Sequence, residues 1–215
     1  MKTFRDPSTS SARHTKTLFI RRHEAVTGVN GWMGGFSRVV HLRLIGKDGF
    51  PNKPVTLAPF LGFSPVLESL LVESTSIPTS QLFDLTLSFP LLKNLTAIKC
   101  HDVPAEEVNV PAGLLTAIQP RSPPMTGSLT INQENGMGSI VRRLLSLPGG
   151  IHFRRVSLRL CGGEDDLLAT ALVKECSHTL ESLELLCGFH GTPTLYSCLH
   201  RRPISVSRIR EIRFD

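Results

Sequence analysis

Cys187, His190, Cys198 and His200 bring two thiols and two imidazoles close together along the chain, a donor set that suits zinc. Zinc ligands usually come in pairs such as CxxC or HxxxH, and CxxH followed by CxH fits neither. Buried thiols and loop histidines are the plainer reading, so no metal or other cofactor is expected. Glu164, Asp165 and Asp166 set three carboxylates side by side and could supply an acid and a base. They stand where an amphipathic pattern begins, and charges at a helix N-terminus account for them more simply. The glycines of "GWMGGF" have no lysine beside them to hold a phosphate and come before a strand pattern, so a turn is expected there. With no GxSxG, HExxH or phosphate loop, the chain is expected to be non-catalytic.

Arginines offer a different chemistry. The pairs Arg21–Arg22, Arg142–Arg143, Arg154–Arg155 and Arg201–Arg202, with "RIREIR" from Arg208, could neutralise phosphates if they shared one face. The sequence spreads them over strand, helix and loop patterns. Aromatic residues make up only 6%, with one Trp and one Tyr, which leaves little for base stacking. A basic nucleic-acid-binding protein is therefore the alternative reading and a protein partner the favoured one. The net charge of +6 and pI near 9.4 favour acidic surfaces in general.

Composition bounds the rest. The 215 residues, 40% hydrophobic and 20% charged, suit one domain with a substantial core. "MKTFRDPSTSSARHTKT" is polar, Ser/Thr-rich and poor in acids, like a weak transit peptide or a frayed terminus; residues 1–13 are expected as a disordered tail and 14–215 as the folded domain. No apolar run approaches the ~18 residues that a membrane helix needs, and no secretory h-region is present. Five cysteines without a CxxC fit reduced, mostly buried thiols. An intracellular protein, cytoplasmic or nuclear and without a membrane partner, is expected.

The elements that must position these side chains come from a repeat. "SPVLESLLVEST" (64–75) is nearly copied by "SHTLESLELLCG" (177–188). Written as LxxLxL, the pattern recurs at Thr15/Leu18/Ile20, Val39/Leu42/Leu44, Leu67/Leu70/Val72, Leu92/Leu95/Ala97, Thr126/Leu129/Ile131, Phe153/Val156/Leu158, Leu180/Leu183/Leu185 and Ile209/Ile212/Phe214. The middle residues are 24, 28, 25, 34, 27, 27 and 29 apart, mostly within the ~20–29 residue period of leucine-rich repeats. Each interval has room for a returning helix. "MGSIVRRLLSL" predicts one with Ile140, Val141, Leu144 and Leu145 inward, and "EDDLLATALVKEC" another with Leu167, Leu168, Ala171 and Leu172 inward. "SQLFDLTLSF" suits a helix or a strand. The long interval holds Pro104, Pro111, Pro120, Pro123 and Pro124, which predicts an extended Pro-rich insertion near 101–125.

A sheet covered by helices on both faces needs strands that are apolar throughout. These strands alternate: Val156, Leu158 and Leu160 face one way and Arg155, Ser157 and Arg159 the other, as Leu42 and Leu44 oppose His41 and Arg43. The expected fold is α/β, a leucine-rich-repeat-like solenoid of about seven or eight repeats, its parallel sheet on the concave face and its helices on the convex face. The expected partner-binding face comprises Phe19, Arg21, His41, Arg43, Ser69, Leu71, Glu73, Asn94, Thr96, Ile98, Ser128, Thr130, Asn132, Arg155, Ser157, Arg159, Ser182, Glu184, Leu186, Glu211 and Arg213. Leu71, Ile98 and Leu186 are its expected apolar anchors.

The phrases "GFSPVLESLLV", "SFPLLKNLTAI", "SPPMTGSLTI", "GMGSIVRRLLSLPGGIHFRRVSLRL" and "ALVKECSHTLESLEL" resemble the leucine-rich-repeat region of F-box/LRR-like proteins of mushroom-forming fungi, over roughly Phe36 to Gly188. The resemblance implies a module that holds the substrate of a cullin ubiquitin ligase. In that family an N-terminal F-box docks on the ligase adaptor, whereas residues 1–38 here have no Leu-Pro start and no helical periodicity. A repeat domain without its box, and without the adaptor as a partner, is expected.

Overall fold

The computed structural model describes residues 11–21, 33–46, 60–61, 63–102, 124–133, 137–147, 149–161, 163–187 and 211–214. Its strands are β1 (Thr17–Arg21), β2 (His41–Ile45), β3 (Ser69–Ile77), β4 (Asn94–Asp102), β5 (Met125–Asn132), β6 (Ile151–Leu160), β7 (Ser182–Cys187) and β8 (Glu211–Phe214). Helices α1 (Thr79–Leu87), α2 (Gly138–Leu145) and α3 (Gly163–Glu175) fall between them. The chain divides into two compact units, Met1–Leu95 with Cys100–Arg121, and Thr96–Lys99 with Ser122–Asp215. In the first, β1, β2 and β3 pair in parallel and in chain order; in the second, β5, β6, β7 and β8 do the same. The protein is thus α/β with parallel strands and intervening helices.

The pairing follows the repeat register at the second and third apolar positions. Leu18 is aligned with Leu42 and Leu42 with Leu70, while Leu129, Val156, Leu183 and Ile212 form the equivalent row. Leu42, Leu44, Leu70, Val72, Leu129, Ile131, Val156, Leu158, Leu183 and Leu185 are buried, as alternation requires of one face of each strand. The first apolar residue of LxxLxL lies three positions before the second, an odd offset that would put it on the opposite face of an ideal strand. Yet Val39, Leu67, Leu92, Phe153 and Leu180 are all buried. The chain re-phases in between. Four of these residues precede their strand, and in β6 the pairing passes from Gly127–Phe153 to Ser128–Arg155, which leaves Arg154 as a bulge.

Hydrogen bonds at this bend repeat with the sequence. The Lys16 carbonyl accepts the N–H groups of Val40 and His41 at 2.8 and 3.0 Å, the Val40 carbonyl those of Glu68 and Ser69 at 2.9 and 3.0 Å, and the Glu68 carbonyl those of Lys93 and Asn94, both at 2.9 Å. Each carbonyl uses both lone pairs on the next repeat. Buried carbonyls one residue earlier are satisfied by hydroxyls: Ser64 Oγ donates to Val39 O at 2.7 Å and Thr179 Oγ1 to Phe153 O at 3.1 Å. Among the described residues these carbonyls take their donors from the next repeat, so neighbouring repeats depend on one another.

"SQLFDLTLSF" is a helix. Pro78, extended at ψ 135°, precedes α1, and Gln81, Leu82, Phe83, Leu85 and Thr86 make its buried face. Thr86 is buried in α1, and its Oγ1 is satisfied by donating back to Leu82 O at 2.7 Å. In α2, Ile140, Val141 and Leu144 are buried and Arg142 and Arg143 lie outward, as expected, whereas Leu145 is only half-buried.

The face of α3 differs from expectation. Leu167 is 69% exposed, while Asp165, Asp166, Ala169, Leu172 and Val173 are buried, with Cys176 just beyond the helix. Asp165 sets this rotation: its Oδ1 accepts the Met137 N–H at 3.1 Å, just before α2, and its Oδ2 the Cys161 N–H at 2.9 Å. A carboxylate holding two backbone donors must point inward, and that turns Leu167 out.

At the N-terminus, Ser11–His14 forms a 3-10 turn with Ala12 buried, so the tail boundary expected at residue 13 falls inside a folded turn. Residues 1–10 lie outside the described residues, as does the Pro-rich segment between Asp102 and Pro124. Met33–Phe36, within "GWMGGF", is a second 3-10 turn. Among the described residues no helix is long and apolar enough to cross a membrane.

Candidate interaction surface

The outward residues form rows across the strands. In the first unit Thr17, His41 and Ser69 are aligned, then Phe19, Arg43 and Leu71, then Arg21, Ile45 and Glu73. His41 and Arg43 are exposed, and Ser69, Leu71 and Glu73 half-buried. On β4, Asn94, Thr96 and Ile98 are also half-buried. In the second unit the rows are Ser128, Arg155, Ser182 and Glu211, then Thr130, Ser157, Glu184 and Arg213, then Arg159 beside Leu186. Arg155 is exposed; Thr130, Ser157, Arg159, Glu184 and Leu186 are half-buried. The outward residues named on β1 to β7 keep contact with solvent while most of their inward neighbours are buried.

Polar groups of the second unit are largely spent on one another. Ser157 Oγ donates to Glu184 Oε2 at 2.6 Å, Arg159 Nη1 to Asn132 Oδ1 at 3.4 Å, and Arg154 approaches Glu181 at 3.8 Å. In the first unit Lys93 Nζ pairs with Glu68 at 3.0 Å, at the positions in their repeats that Glu181 and Arg154 hold in theirs. Such exposed pairs contribute about 0–1 kcal/mol each but match neighbours in register. Phe19 stands out. It is 43% exposed, and the guanidinium carbons of Arg21 and Arg43 each lie over its ring, 5.3 Å from the centroid. Leu71, Ile98 and Leu186, the expected anchors, are less open than Phe19.

Two cysteines carry a signal that the six-residue pattern cut short. Extending it by three gives Leu92-x-x-Leu95-x-Ala97-x-x-Cys100 and Phe153-x-x-Val156-x-Leu158-x-x-Cys161, the first nine positions of the leucine-rich-repeat consensus with Cys in its Asn/Cys slot; its last Leu is replaced by Asp102 and Gly163. Both thiols reach back to the preceding repeat: Cys100 Sγ donates to Val72 O at 3.4 Å and Cys161 Sγ to Gln133 O at 3.2 Å. Just before Cys100, Lys99 has φ 50°, and Ser74, at the same position of its repeat, has φ 52°. A left-handed residue thus recurs where β3 and β4 leave their regular path.

His190, Cys198 and His200 lie outside the described residues, as does the Cys187 side chain, and among the described residues no group of three or more His, Cys, Asp and Glu could hold a metal. Cys176 is a buried free thiol that burial pushes up to about 11, which keeps it protonated and unreactive. Asp165 is occupied by backbone donors. The arginines separate: Arg142, on α2, pairs with Glu164, while Arg155 and Arg159 belong to the sheet face. No protein-family model matches the chain, and no curated protein matches it as a relative.

Proposed function

We propose that the chain is a non-catalytic protein-binding scaffold: a leucine-rich-repeat-like solenoid, sheet on its concave face and helices on its convex face, that captures a partner on its outward strand residues. It would act as the substrate-recognition part of an F-box/LRR-like ligase receptor. One observation supports the reading: most inward residues of β2 to β7 are buried, while the named outward residues of β1 to β7 are half-buried or exposed. A sheet enclosed by helices on both sides would bury both sets. The occupied Asn/Cys slot at Cys100 and Cys161 supports the repeat class.

Proximity labelling in the native cell tests the reading. Arg43→Glu and Arg159→Glu should each reduce labelling of the same partners by about tenfold and leave the thermal midpoint unchanged. Arg142→Glu with Arg143→Glu, on the helix side, should leave labelling intact. Equal losses from both sets would assign the effect to overall charge and overturn the surface. Salt-sensitive binding to random-sequence DNA in place of labelled proteins would favour the nucleic-acid reading.

A further inference from the structure

We propose that Phe19, Arg21 and Arg43 form the seat for an extended acidic segment of the partner, one with Asp or Glu at alternate residues. The proposal rests on the strand face being the binding surface and names what one part of it recognises. Arg21 follows Phe19 by two residues on β1 and shares its face, while Arg43 is its aligned neighbour on β2. Among the described residues neither guanidinium has a carboxylate partner or a hydrogen bond. Lys93, Arg142 and Arg154, by contrast, all have carboxylates. Holding two like charges over one exposed ring is unfavourable; the ring's negative face offsets part of the cost, and an anion would offset the rest.

Geometry selects the anion. A guanidinium stacked on an aromatic ring still presents its N–H fork, which fits a carboxylate in bidentate fashion. Diagonal neighbours on paired strands lie about 7–8 Å apart, their Cβ atoms somewhat closer, and alternate residues of an extended peptide are about 6.6 Å apart. One carboxylate can therefore meet each arginine while the peptide backbone passes over Phe19. His41, exposed two residues before Arg43, extends the basic face. Glu73, two strands from Arg21 in the same row, ends it, so the acidic segment should keep to β1 and β2.

The test is fluorescence anisotropy of the full chain with three labelled peptides: an alternating Glu–Ala decamer, its Gln–Ala counterpart, and the same sequence with one phosphoserine replacing the glutamates. The Glu peptide should bind at least about tenfold more tightly than the Gln peptide. Arg21→Gln and Arg43→Gln should each weaken it by about tenfold and Phe19→Leu by about threefold, with thermal midpoints unchanged. Equal binding of Glu and Gln peptides, an unaffected Arg21→Gln/Arg43→Gln double variant, or a preference for the phosphoserine peptide would each overturn the proposal. If the peptides fail while Arg159→Glu still removes labelled partners in the cell, this seat is wrong and the interaction surface stands; loss of both would sink the wider reading as well.

Discussion

The Gly46 joint of the first unit is made backbone to backbone, whereas the Asp165 joint of the second is made by a side chain. Gly46 donates its N–H to Glu73 O at 2.9 Å and lies so close to the Ser74 carbonyl that a Cβ there would run into its oxygen. Asp165 instead spans a gap, holding Met137 N–H with one oxygen and Cys161 N–H with the other. The outward faces differ in parallel. The second unit ties Ser157 to Glu184 and Arg159 to Asn132, while the first leaves Arg21 and Arg43 over Phe19 alone. One strand register thus supports two kinds of surface. Inward residues specify the repeat, and outward ones are free to be satisfied internally or kept for a partner.

The largest effect should come from the backbone joint. Gly46→Ala puts a methyl group into a carbonyl oxygen that cannot swing aside as the end of a long side chain could, and should cost about 4 kcal/mol or leave the first unit unfolded. Gly35→Ala is the control, because its Cβ would meet Ala12 Cβ at 3.4 Å, an ordinary contact. Urea unfolding of both variants measures the difference. Similar stabilities would mean that Gly46 and Ser74 are not so close, and the contrast between the two joints would disappear.

Next comes the side-chain joint, where the sequence and the structure part company. The strand rows were readable because period-two alternation and a 24–29 residue spacing leave little choice of register. The outward residues followed automatically. The α3 face was misjudged because hydropathy ranks Leu167 above Asp165, and only the position of the Met137 and Cys161 N–H groups shows that the carboxylate is wanted inside. No single-sequence pattern records a donor 28 residues away. Cys100 and Cys161 were readable, but only in the nine-residue form of the repeat. Leu172→Ala should cost about 2–5 kcal/mol, Asp165→Ala about 2–3 kcal/mol by leaving two N–H groups unpaired, and Leu167→Ala less than about 0.5 kcal/mol. A large loss at Leu167 with none at Asp165 would restore the helix face expected from the sequence and remove the side-chain joint.

The smallest effect is a pH dependence seated in the second unit. Burial raises the Cys176 thiol from 9.0 to about 11, so in the folded chain it stays protonated where the unfolded chain has already ionised it. Above pH ~9 the native state therefore binds more protons than the unfolded state, and stability falls as pH rises until the folded thiol itself ionises near 11. The loss across that window should reach about 2 kcal/mol, and the stability contributed below pH 9 should be complete. Cys176→Ala removes this term and leaves every other alkaline titration in place. Under reducing conditions, the stability of the native chain minus that of Cys176→Ala should be constant from pH 7 to 8.5 and then shrink by about 2 kcal/mol by pH 11. A difference that stays flat throughout would mean that water reaches the thiol, and a core open at Cys176 could not hold the rows of β6 and β7 against α3 as tightly as the buried Leu172 and Val173 require.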